Sequence, residues 1–144
     1  MFNITQEIYS TILTYGDNSP EYEVCGALFG SISNQGTYTC TEFLPMTNVS
    51  PNDKGVHYIP DPNEFFKVIK TTKHFNIDNS KDLLGIFHTH PHNKPIASIT
   101  DITGAGYKGV YMIYSPKYKS TNSYFWDGDE QTRNFKLLDN WKII

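Results

Sequence analysis

Leu83-Leu84-Gly85-Ile86-Phe87-His88-Thr89-His90-Pro91, then six residues, then Ser98-Ile99-Thr100-Asp101, is the stretch from which the fold can be read. Its opening is a short apolar run, the pattern of a buried strand, and it delivers two histidines at its end. Ser98 and Asp101 have the S-x-x-D spacing of a capping box, which predicts a short helix stopping near Gly104 or Gly106. A buried strand feeding a capped helix belongs to an α/β chain.

The flanking segments agree. Upstream, Asp61-Pro62-Asn63-Glu64 offers an N-cap, a proline at N1 and a glutamate at N3, and the Phe65, Phe66, Ile69 stripe predicts a helix running to about Phe75. Val24 to Gly30 and Thr37 to Leu44 flank a turn rich in Ser, Asn and Gly, which reads as a β-hairpin. Ile4, Ile8 and Ile12, spaced by four, predict an opening helix over residues 4–15 that ends near Gly16. Downstream, Gly109 to Tyr114 and Tyr124 to Trp126 read as strands. The tail 132–144 alternates loosely and is expected to close the sheet, with a terminal helix as the alternative. Without a repeat, linker or low-complexity tract, residues 1–144 read as one α/β domain.

Composition narrows the function classes. Ten tyrosines and nine phenylalanines supply much of the core and argue against disorder. Twelve basic and 15 acidic residues give a net charge of −3, with no basic block interleaved with aromatics, so nucleic acid is not the expected partner. No apolar run approaches the roughly 18 residues of a membrane span, and the N-terminal residues lack a signal-peptide pattern, so a soluble, cytoplasmic protein is expected. Cys25 and Cys40 fall on neighbouring predicted strands and read as buried free thiols rather than a disulfide.

His88 and His90, two apart on a strand, project from the same face with Cα atoms roughly 6.5 Å apart, so both imidazoles can reach one metal. Asp101 and Ser98 share a helix face, and a loop turning back from Pro91 can bring both toward that ion. Two histidines and one aspartate leave the fourth position of a zinc ion open, the arrangement of a catalytic rather than structural site, which points to hydrolysis. A carboxylate base is still required, and spacing alone does not choose it. Against this, Ser98 and Asp101 can be explained as a capping box alone. His57, His74 and His92 read as solvent-facing.

These residues carry a family resemblance. His88-Thr89-His90-Pro91, six residues, then Ser98-Ile99-Thr100-Asp101 resembles, without a gap, the H-[ST]-H-P-x6-S-x2-D signature of the JAB/MPN+ (JAMM) metalloproteases. Glu23-Val24-Cys25-Gly26 resembles their E-x-C-G segment, and together the similarity covers about residues 4 to 128. The resemblance implies a cytidine-deaminase-like α/β/α sandwich around a mixed, curved sheet. It implies His88, His90 and Asp101 as Zn2+ ligands, Glu23 as general base and Ser98 as the group that hydrogen-bonds the oxyanion. Glu21 is the rival base, on the same strand face, but only Glu23 stands in register with Cys25-Gly26.

The implied activity is a zinc isopeptidase or peptidase acting at the C-terminus of ubiquitin or a ubiquitin-like modifier, by deconjugation or precursor processing. The short chain suggests a compact bacterial, archaeal or viral member, including those of bacterial ubiquitin-like or antiphage operons. Loops 45–60 and 92–97 and segment 115–123 are the expected walls of a groove for the modifier tail. The alternative is a non-catalytic MPN-type interaction module, which predicts no metal. A deaminase is disfavoured because the chain has no C-x-x-C pair. The modifier and the oligomeric state are not set by the sequence.

Overall fold

The computed structural model describes residues 1–144. Its elements are β1 (Phe2–Ile4), α1 (Gln6–Asp17), β2 (Cys25–Ile32), β3 (Tyr38–Met46), α2 (Pro62–Ile69), β4 (Asp82–Thr89), α3 (Ile99–Gly104), β5 (Gly109–Ser115), β6 (Ser120–Trp126), β7 (Phe135–Leu137) and β8 (Lys142–Ile143). The strands form one mixed sheet in the order β7-β6-β5-β4-β2-β3-β1-β8. β2 and β3 are the expected hairpin, β2 pairs antiparallel with β4, and β4 runs parallel to β5. The register shifts on β2, between Leu28 and Phe29 toward β4 and between Phe29 and Gly30 toward β3, are places where an extra residue bends a strand and increases its twist.

Each face of the sheet has its own core. On one, Ile12 of α1 packs with Leu28, Leu84, Phe87, Val110 and Met112. On the other, Val68 of α2 and Ala105, just after α3, pack with Ala27, Phe29, Ile86, Tyr111 and Ile113. The alternation Val110, Tyr111, Met112, Ile113, Tyr114 along β5 divides strictly between the two clusters, as a strand covered on both sides requires. The fold is therefore the α/β/α sandwich with a curved mixed sheet.

Two sequence expectations are corrected and a third is met. The first helix starts at Gln6, because Phe2–Ile4 pairs in parallel with Tyr38–Cys40 as β1 and Thr5 caps the helix that follows. Ile4 belongs to the strand. The second helix stops at Ile69 rather than Phe75. Thr71 and Thr72 turn their hydroxyls onto the carbonyls of Val68 and Ile69, and such side-chain bonds compete with helical ones. The tail closes the sheet as expected, β7 on β6 and β8 parallel to β1, rather than forming the alternative terminal helix.

Candidate active site

The β2–β4 ladder assembles the site. Its antiparallel register sets Cys25 opposite His88. One step further, Val24 and Thr89 are joined by two hydrogen bonds, the Val24 amide to Thr89 Oγ1 and the Thr89 amide to the Val24 carbonyl, both 3.0 Å. Continuing the same register brings Glu23 beside His90. Thus two segments 65 residues apart in the chain meet through ordinary strand pairing. Alternation then turns His88 and His90 toward the α2–α3 face while Thr89 faces α1, where its methyl lies near Gly16.

His88 and His90 are buried, at 1% and 8% exposure. His88 Nε2 lies 3.2 Å from His90 Nε2 and 3.1 Å from Asp101 Oδ1, and His90 Nε2 lies 3.0 Å from Asp101 Oδ2. Each imidazole thus meets its own oxygen of Asp101, and one ligand atom from each of the three residues lies within 4.8 Å of the other two, close enough to converge on one ion that holds its ligands at ~2.0–2.2 Å. The donor chemistry agrees. His90 Nδ1–H donates to the Lys94 carbonyl at 2.9 Å, which leaves the Nε2 lone pair of the neutral ring aimed at a carboxylate and a second imidazole. Three acceptors so arranged call for a cation or a proton between them. His88, His90 and Asp101 could hold a metal ion.

The electrostatics of the metal-free cluster follow from this crowding. Burial pushes the His88 pKa down, and the neighbouring Asp101 only partly offsets it. For His90 burial acts the same way, but hydrogen bonds to Asp101 and Lys94 overcome it and the pKa is raised. Burial works against ionised Asp101, yet the two imidazoles and the Ser98 amide hold its carboxyl well below the usual carboxylate range.

The capping box and the carboxylate cluster prove to be the same object. Ser98 Oγ accepts from the Asp101 amide at 3.0 Å, and Asp101 Oδ2 accepts from the Ser98 amide at 2.8 Å. The helix that positions Asp101 is anchored at its other end by Arg133, which donates to the carbonyls of Ile102 and Ala105 and lies over Trp126.

Glu23 lies just before β2, not within the strand, and is 5% exposed, whereas Glu21 is exposed. Its backbone is gripped on both sides: the amide donates to the Lys54 carbonyl at 2.6 Å and the carbonyl accepts from Asn48 Nδ2 at 3.0 Å. Glu23 Oε1 is buried without a partner. Burial pushes the carboxyl up to about 8, against the pull of His90 and with a further push from Asp101.

Other histidines separate from the cluster. His57 is not simply solvent-facing: its Nδ1 lies 2.6 Å from Ser50 Oγ. His74 is exposed beyond the end of α2, against Tyr107, and His92 is exposed and donates to the Glu21 carbonyl at 3.2 Å. Two residues with no sequence signal complete the surroundings. Asn48 organises the loop before α2, and Tyr58 stacks on His88 with ring centroids 4.3 Å apart and planes 23° apart.

A groove of about 700 Å³ opens beside Asp101, walled by Val56 to Pro60, by Phe65, Phe66 and Ile69 of α2, and by the α3 segment as far as Tyr107. The expected loop 45–60 contributes to it, but 92–97 and 115–123 do not. α2 and the end of α3 form the remaining walls, because both pack on the same sheet face as the histidines.

A mixed α/β/α sheet with a His-His-Asp cluster at the end of a central strand matches a known family. Residues 5–128 match the model for prokaryotic homologs of the JAB domain, and the chain belongs to that family. It is 34% identical over 112 residues to a desampylase of Haloferax volcanii, an alignment covering 77% of this chain and 74% of that protein. Among solved structures, a Desulfitobacterium hafniense protein superposes with a TM-score of 0.77 at 21% identity, covering all of this chain and 94% of its own. A JAB1/MPN domain protein from Archaeoglobus fulgidus superposes over the whole chain and 98% of its own, with a TM-score of 0.56 at 14% identity. Both share the fold. No helix is long and apolar enough to cross a membrane.

Proposed function

We propose that this protein is a zinc-dependent isopeptidase or peptidase that hydrolyses the amide bond at the C-terminus of ubiquitin or a ubiquitin-like modifier. The observation that carries the reading is the triangle of His88, His90 and Asp101 donor atoms with the partnerless Glu23 carboxyl beside it. The name of the Haloferax relative and the JAMM-type spacing support the substrate class.

His88, His90 and Asp101 would hold the zinc. When bound, zinc supplies Lewis-acid chemistry, acidifying water and polarising a carbonyl. Glu23 takes the proton of the attacking water and returns it to the leaving amine, a role open to a buried carboxyl beside the cluster whose Oε1 has no other hydrogen-bond partner. Ser98 is exposed, and a hydroxyl both accepts and donates. Its oxygen can therefore keep the helix cap while its hydrogen is offered to the oxyanion. The groove beside Asp101 suits an extended peptide with apolar side chains, which makes it our choice for the modifier tail. Two unpaired thiols suit action in the reducing cytoplasm.

The test is cleavage of linear fusions and conjugates of ubiquitin-like proteins by zinc-loaded protein, followed by mass spectrometry alongside metal analysis. Glu23→Gln is expected to cut at least about 10²-fold more slowly while retaining one metal per chain. Should the wild type carry zinc and leave every fusion and conjugate intact, this reading fails; wild type that takes up no metal overturns it in favour of a non-catalytic interaction module.

A further inference from the structure

The two histidines of the cluster are supported by different means. His90 has the usual arrangement for a metal-binding imidazole, its second ring nitrogen donating to a carbonyl, that of Lys94. His88 has none: its Nδ1 is buried and without a hydrogen-bond partner. Rotation about the final side-chain torsion of a histidine is soft, so an imidazole lacking that second bond needs another restraint to keep Nε2 on target. What lies against it is the face of Tyr58.

Tyr58 is itself fixed through its neighbours. The Asn48 side chain donates to the His57 carbonyl at 3.1 Å and accepts from the Ile59 amide at 3.1 Å, clamping the backbone on either side of Tyr58. The Val49 amide bonds the Ile59 carbonyl at 2.8 Å, and Ser50 Oγ meets His57 Nδ1. The same Asn48 amide nitrogen also donates to the Glu23 carbonyl. One side chain thus ties the residue that faces His88 to the backbone of the residue that bears the partnerless carboxyl.

We propose that Tyr58 is a positioning residue, whose ring, held by the Asn48-centred loop, replaces the missing hydrogen bond of His88 and fixes its imidazole toward the metal. The inference rests on the metal-site reading above. The contact is made by the ring and not by the hydroxyl, so phenylalanine should serve and an aliphatic side chain should not.

The experiment compares wild type, Tyr58→Phe and Tyr58→Leu for zinc affinity by chelator competition and for the visible spectrum of the cobalt(II)-loaded protein. Tyr58→Phe should match wild type in both. Tyr58→Leu should bind zinc roughly 10-fold or more weakly, the size of effect seen for lost support of a ligand, and shift the cobalt bands. Equal affinity and an unchanged spectrum in a folded Tyr58→Leu overturn the proposal. If that variant does not fold, NMR of the zinc-loaded wild type decides. Ring protons of His88 shifted upfield by the facing phenol support it, and unshifted ones overturn it. Wild type that takes up no metal overturns the metal site and this inference together. Metal bound equally by wild type and Tyr58→Leu overturns this inference alone.

Discussion

Glu23 is the residue whose environment is most at odds with its chemistry. A carboxyl with a buried, unpartnered oxygen and a pKa near 8 keeps its proton in the native metal-free protein where the unfolded chain, titrating near 4.5, has released it. The unfolded state then binds fewer protons than the native state, so stability falls as pH rises from about 4.5 to 8. We expect metal-free wild type to lose on the order of 2–4 kcal/mol relative to Glu23→Gln across that window. Urea midpoints at pH 5 and pH 8 measure it. The wild-type-minus-variant difference reports Glu23 together with its coupling to His90, whose raised pKa also makes its contribution fall as pH rises, while Asp101 gives its own throughout. Parallel pH curves for the two proteins would contradict the assignment.

At the scale of elements, the site depends on how closely β4 can lie against β5. A Cβ added at Gly85 would run into the backbone carbonyl of Val110, directly across the parallel ladder. Backbone cannot swing aside as a side chain can, so Gly85→Ala is expected to cost at least about 2–3 kcal/mol. Because Gly85 and His88 share that ladder, it should also weaken metal binding. Denaturant titration with metal analysis checks both.

Elements with local signals were legible in the sequence: Asp61-Pro62 for the start of α2, Ser98 and Asp101 for α3, the apolar run ending in His88 for β4. Those whose structure depends on a distant partner were not. Phe2-Asn3-Ile4 is a strand only because Tyr38–Cys40 offers an edge, and the helical spacing of Ile4 with Ile8 and Ile12 concealed it. The proline-broken loop holding Asn48 and Tyr58 has no periodicity, so nothing in it announced a contact with His88.

On the scale of the whole molecule, packing on both faces of the sheet controls its other reactive groups. Burial pushes the thiols of Cys25 and Cys40 up to about 12, and each is fully enclosed, in a different core. With a negligible thiolate fraction and no access, neither should react with a disulfide reagent at pH 8 until the fold opens. The rate of thiol labelling should therefore follow global unfolding, and fast labelling of either cysteine in the native protein would show that its core is loosely packed.

β8 joins the sheet only through β1, with Asn3 beside Lys142 and Ile4 beside Ile143, and the Gln6 amide donates to the Ile144 carbonyl at 2.8 Å. A contact between residues so far apart along the chain is among the costliest to close while the chain is still searching, and it gains little until β3 and β1 are in place. Its strength is therefore expected to fall on the barrier to unfolding and to leave the speed of folding nearly unchanged. The last strand is thus expected to act as a latch on lifetime: removing residues 142–144 should speed unfolding in stopped-flow measurements while leaving the folding rate nearly unchanged.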